Sequence, residues 1–134
     1  MNKLYEPYWS NYLKQFDLPP SYFQDIPKNT NKFCVIVEPR VHSLLIPVIK
    51  NFMTLLKNKG WGLMIFHGNK NQSMLIEHLN EWKNVYYINL KIDDLDRNQY
   101  NYLFTTPELW NTIYQVGGRH ALLFQSDCLL LKDN

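Results

Sequence analysis

Two short runs decide the fold: Phe33-Cys34-Val35-Ile36-Val37 and Leu63-Met64-Ile65-Phe66. Each is continuously apolar, and the first is rich in β-branched residues, as expected of a strand covered on both faces. A strand with one wet face would carry a polar residue at every second position, and neither run does. The first run ends at Glu38-Pro39-Arg40 and the second at His67-Gly68-Asn69. Between them Leu45, Val48, Ile49, Phe52, Leu55 and Leu56 recur at spacings of three and four, which predicts a helix. Ser43 reads as its N-cap, placing Pro47 near the first turn where a missing N–H costs least. Asn58-Lys59-Gly60 reads as its stop.

The same alternation continues downstream. A helix from about Gln72 to Trp82, with Met74, Leu75, His78, Leu79 and Trp82 on one side, leads to a third run, Val85-Tyr86-Tyr87-Ile88. After an Asp-rich loop (Asp93, Asp94, Asp96) comes a helical stretch around Asn98 to Phe104. Thr106-Pro107-Glu108 then has the form of N-cap, first-position Pro and acidic first turn, starting a helix that Gly117-Gly118 ends. The fourth run, Ala121-Leu122-Leu123-Phe124, stops at Gln125-Ser126-Asp127. Crossovers of this length join parallel strands, so the expected fold is α/β: a Rossmann-like, mostly parallel sheet of about four strands with helices on both faces.

Upstream of the first run, residues 1–31 form a separate arm. Tyr5, Tyr8, Trp9, Tyr12, Phe16, Tyr22 and Phe23 alternate with polar residues, and Pro19-Pro20 and Pro27 interrupt any long helix. One short helix around Trp9 to Phe16 is expected there, with the rings packing the arm onto the domain of residues 32–134. The whole chain has 134 residues, 46% hydrophobic and 15% aromatic, enough for one core and incompatible with wholesale disorder. Its 14 Lys+Arg and 12 Asp+Glu leave a formal charge of +2, with the Lys residues scattered, which argues against nucleic-acid binding. No apolar run approaches a membrane span, no signal-peptide core follows Met1, and two Cys make no disulfide framework, so a cytoplasmic location is expected.

Ligands of open parallel sheets bind outside the carboxyl ends of the strands. Those ends carry Glu38 and Arg40, then His67, Gly68 and Asn69, then Gln125, Ser126 and Asp127. Asp127 is the main candidate, because a carboxylate at a strand end can reach a divalent cation bridging a diphosphate; it can equally cap a turn. Glu38 and Arg40 contact a ligand or pair with each other. Gly68 beside His67 admits close backbone approach by a ligand, or makes a turn. His42, His78 and His120 lack zinc-site spacing, and neither Cys34 nor Cys128 has a sequence-adjacent base. No phosphate-binding loop and no dinucleotide glycine fingerprint occurs.

In order, Val37-Glu38-Pro39-Arg40, Trp61 through Phe66-His67-Gly68, Tyr100-Asn101-Tyr102-Leu103, Thr105-Thr106-Pro107 with Trp110, and Leu123-Phe124-Gln125-Ser126-Asp127 resemble a family of glycosyltransferase-like domains related to the GT-A nucleotide-sugar transferases. The resemblance covers about residues 33–131. It implies a nucleotide-sugar partner, UDP- or GDP-linked, with Glu38 and Arg40 near the base or ribose, Asn101 on the bordering helix, and His67, Gly68, Asn69, Gln125 and Ser126 along the same rim. It further implies a divalent metal, Mn²⁺ or Mg²⁺, held by Asp127. Such enzymes carry an Asp-x-Asp motif where this chain reads Gln125-Ser126-Asp127, so one carboxylate is replaced by an amide. The sequence reaches Asn134, seven positions past Asp127, so the resemblance spans the nucleotide-binding half and an acceptor half would come from elsewhere. Two other readings stand beside it. One is a non-catalytic remnant or interaction module, its open sheet side covered by a protein partner or a second copy. The other is a receiver- or flavodoxin-like binding domain with Asp127 as its anionic or Mg²⁺ site.

Overall fold

The computed structural model describes residues 6–131, the first three of them by backbone only; Tyr5 and the Tyr8 ring of the arm, like residues 1–4 and 132–134, lie outside the described residues. Five α-helices and four strands follow one another: α1 (Glu6–Lys14), β1 (Lys32–Glu38), α2 (Leu45–Leu56), β2 (Trp61–His67), α3 (Gln72–Leu79), β3 (Val85–Asn89), α4 (Arg97–Leu103), α5 (Pro107–Gln115) and β4 (His120–Phe124). The expected α/β alternation is the observed one. The four strands form one sheet in the order β3-β2-β1-β4, and every neighbouring pair is parallel.

The order has a consequence for ligand binding. From β1 the chain steps to β2 and β3, then returns past β1 to place β4 on its other side. With right-handed crossovers, helices connecting strands in one direction cover one face, and the return connection covers the opposite face. The two core layers agree. Cys34, Ile36, Leu63, Ile65 and Phe124 pack with α2, with Leu75 and Leu79 of α3, and with arm residues Leu13, Phe23 and Ile26. Phe33, Val35, Val37, Met64 and Phe66 pack with Leu109 and Ile113 of α5 and with Tyr100 and Leu103 of α4. Alternate residues of β1 and β2 therefore enter different layers, and both layers are apolar. That is why the two runs carry no polar alternation.

Local differences from the sequence reading have identifiable causes. Ser43 does not cap α2. The N-cap position is Leu44, and the capping is done by His42, whose Nδ1 accepts from Leu44 N–H at 3.1 Å while its carbonyl accepts from Leu45 N–H at 3.1 Å. Pro47 does fall in the first turn. Helix α3 ends at Leu79, short of Trp82, which is buried and stacks on Phe23 at 4.0 Å between centroids; His78 points to solvent. Thr106 occupies the N-cap of α5, but its hydroxyl donates to the Leu103 carbonyl rather than capping.

The arm is fastened by more than rings. Lys57, buried at the end of α2, donates to both Asp25 carboxylate oxygens at 2.8 and 3.0 Å and lies 4.4 Å from the Tyr22 ring centroid. The segment after β4 does not extend the sheet. Its Cys128, Leu129 and Leu130 pack onto the α2 layer, leaving Leu123 and Leu131 exposed. Fully buried Asn51 holds that segment: its amide donates to the Leu130 carbonyl and its carbonyl accepts from Leu130 N–H, each at 2.8 Å. The Tyr12 hydroxyl donates to the same Leu130 carbonyl. Replacing Asn51 by Leu removes two paired bonds and strands the Leu130 peptide groups in an apolar layer. We expect Asn51→Leu to lose about 2–3 kcal/mol in urea denaturation, with Leu130 amide protection lost first; an unchanged midpoint would refute the clamp.

Candidate functional site

Strand register assembles the site. Glu38 pairs with His67, and Phe124 pairs with Ile36, so Ser126, two residues beyond Phe124, comes level with Glu38. The place is the gap between β1 and β4, where successive connections leave in opposite directions. This is the topological switch point at which open α/β sheets form their ligand crevices. A cleft of about 470 Å³ lies there. The loop after β1 supplies Glu38, Arg40 and His42; the start of α4 supplies Asp96, Arg97, Tyr100 and Asn101; the loop after β4 supplies Gln125, Ser126 and Asp127.

Its centre is a buried acid. Glu38 is 5% exposed, and its carboxylate accepts from Arg40 three times: Nε at 3.1 Å, Nη2 at 3.1 Å and backbone N–H at 3.2 Å. The Ser126 hydroxyl donates to the same carboxylate at 3.3 Å. Of the two readings of Glu38 and Arg40, the mutual ion pair is present, and its guanidinium is also half exposed toward the cleft. Glu38 foremost, with smaller contributions from Asp94 and Asp127, holds the Arg40 guanidinium above its usual value. Tyr100 and Gln125 both line the cleft. Burial foremost, with the nearby Cys128, Glu38 and Asp127, pushes the Tyr100 hydroxyl up, against the opposing effect of Gln125. Asp127 is exposed at the cleft mouth, with the Cys128 thiol 3.9 Å from its Oδ1.

Six of the sequence candidates therefore meet: Glu38, Arg40, Asn101, Gln125, Ser126 and Asp127. His67, Gly68 and Asn69 do not line this cleft. His67 is buried with Nδ1 2.9 Å from the Gly68 carbonyl oxygen, and Asn69 accepts from Asn89 at 3.1 Å. Gly68 is required for chain packing. A Cβ there would collide with the Ile92 carbonyl oxygen and lie 2.7 Å from that of Pro39. Close backbone approach does occur, and the approaching groups are two of the chain's own loops.

Sequence reading passed over Asn71, whose buried side chain ties β1 to β2. It donates to the carbonyls of Glu38 at 2.6 Å and Arg40 at 3.0 Å and accepts from Gly68 N–H at 2.9 Å. Arg97 was also passed over, although Asp96-x-x-Gln99 is a capping-box signature that fixes the start of α4 and hence its position.

Among the described residues, no three His, Cys, Asp or Glu side chains gather to hold a metal ion. With Glu38 committed to Arg40, the cleft suits a divalent ion only where Asp127 shares it with ligand oxygens, the usual manner of Mg²⁺. No helix among the described residues is long and apolar enough to cross a membrane. Comparison with protein-family models, curated proteins and solved structures gave no match in any of the three.

Two outcomes check this geometry. Gly68→Ala should cost about 2–3 kcal/mol in thermal or urea unfolding, because backbone on both sides must move; wild-type stability would remove the packing role. Burial pushes the Cys34 thiol up to about 12, while Cys128 is half-buried beside the cleft. A thiol reagent at neutral pH should label Cys128 in the native protein and spare Cys34 until denaturant is added, as peptide mapping would show.

Proposed function

We propose that the switch-point cleft binds a nucleotide-sugar, and that the chain serves as the nucleotide-binding part of a glycosyltransferase-like protein. The observation that carries the reading is convergence. Residues separated by almost ninety positions, from Glu38 to Asp127, meet in one polar cleft at the reversal of strand order. The volume of about 470 Å³ falls within the usual range of small-molecule sites, roughly 300–1,000 Å³.

Each group has a role the chemistry suits. Arg40 and Arg97 offer guanidinium donors to phosphate oxygens. Asn101 and Gln125 offer amides to ribose or sugar hydroxyls, and the Tyr100 ring offers a face to a base. Asp127 supplies the exposed carboxylate for an ion shared with the diphosphate. A bound Mn²⁺ or Mg²⁺ there would neutralise charge on the leaving diphosphate. Without such an ion, Asp96 and Asp127 repel the phosphates that Arg97 attracts, so binding should depend on the divalent cation.

Calorimetry of the full chain with UDP- and GDP-sugars, with and without Mn²⁺, tests the reading. One nucleotide class should bind in the presence of Mn²⁺, and Asp127→Ala should weaken that binding by about tenfold or more, equivalent to ~1.4 kcal/mol. Absence of binding for every nucleotide-sugar, or equal binding by Asp127→Ala, would overturn it.

A further inference from the structure

His42 lines the cleft and also a second cavity of about 530 Å³, walled by α1, the start of α2 and α3. The floor of this second cavity is apolar, made by Leu13, Leu44, Ile46, Pro47 and Met74. Its rim carries Lys14 and Lys50, with His42 and His78 beside them and one acid, Asp17, which pairs with Lys50 at 2.8 Å. Lys14 has no ion-pair partner among the described residues. Two lysines less one aspartate leave one positive charge beside an apolar trough, and α2 begins there with no acidic residue in its first turn.

We infer that this groove is a binding site for a free medium-chain carboxylate, with the aliphatic tail on the apolar floor and the single negative charge against Lys14. The match rests on charge and shape together. A neutral alkane would leave Lys14 uncompensated, and a multiply charged phosphate would exceed the one available positive charge. An aliphatic ammonium of the same length would bury equal apolar area but meet a like charge. The groove shares only His42 with the lining of the nucleotide cleft, and neither Lys14 nor the apolar floor belongs to that cleft.

The test is an amide-resolved NMR titration of the full chain with octanoate below its aggregation concentration, with octylammonium in parallel. Octanoate should shift the amides of Ser43, Leu44, Met74 and His78 in a saturable way, and octylammonium should not. Lys14→Glu, a change at an exposed position, should weaken octanoate binding at least fivefold while leaving the rest of the spectrum unchanged. Met74→Glu, which sets a carboxylate on the floor, should abolish it. The inference is overturned by equal shifts from both amphiphiles, by shifts that cluster away from the groove, by unaltered binding in Lys14→Glu, or by no saturable shift at all.

Discussion

The structure depends on how one buried carboxylate is satisfied. Glu38 ends the central strand with almost no solvent contact, and an ionised carboxylate in that position is tolerated only when paired and hydrogen-bonded. Three donors from Arg40 and one from Ser126 supply this. Since Ser126 follows β4, the same carboxylate joins two neighbouring strand ends that chain connectivity leaves far apart. Asn71 does the corresponding work between β1 and β2. The carboxyl edge of the sheet is thus held by side-chain bonds on both sides of β1, and this gives the cleft a fixed wall. A structural ion pair and a cleft-facing guanidinium are not rival descriptions of Arg40: the bond to Glu38 is what aims the exposed part of the group.

The fold follows from where apolar residues sit on β1 and β2. Consecutive side chains of a strand point to opposite faces, so a run with no polar member demands cover on both. Two layers meet that demand, and each buried side chain contributes roughly 1.5–3 kcal/mol by leaving water. The edge strands differ. β3 and β4 are only partly buried, with Tyr87 and Leu123 exposed. The reversal of strand order places helices on both faces, and it opens the crevice beside β1.

Much of this was legible in sequence because it rests on periodicity, and periodicity is local. All four strands, both Gly-terminated helix ends and the Pro at the start of α5 sit where pattern and turn chemistry put them. What sequence did not disclose are single polar side chains acting at a distance. Asn51 falls outside the apolar positions read along α2, yet it holds a backbone segment 79 positions away. Asn71 falls between the His67-Gly68-Asn69 strand end and the helix expected from Gln72, and its buried side chain organises two strand ends. His67 and Gly68 were placed correctly at a strand end, but level position along the edge is not the same as facing the cleft. Strand order decides that: β2 lies on the side of β1 away from β4, so only the β1 and β4 ends share the crevice.

The wall between the two cavities bears on how they relate. It is the loop from Pro39 to Leu44, and its backbone is bonded at Arg40, His42 and Leu44. Pro39 is buried, Arg40 gives its N–H to Glu38 and its carbonyl to Asn71, and His42 caps α2 through both ring and carbonyl. Coupling between sites needs an element with two arrangements that each ligand prefers differently. A segment whose hydrogen bonds are already satisfied in one arrangement is a poor candidate for such an element, because a second would break several of them at about 1 kcal/mol or more each. The same bonds that fix Arg40 toward the cleft fix Leu44 and Ile46 as floor of the groove. The physical expectation is therefore two occupancies that add without cooperating, on either side of a partition made rigid by Glu38, Asn71 and His42.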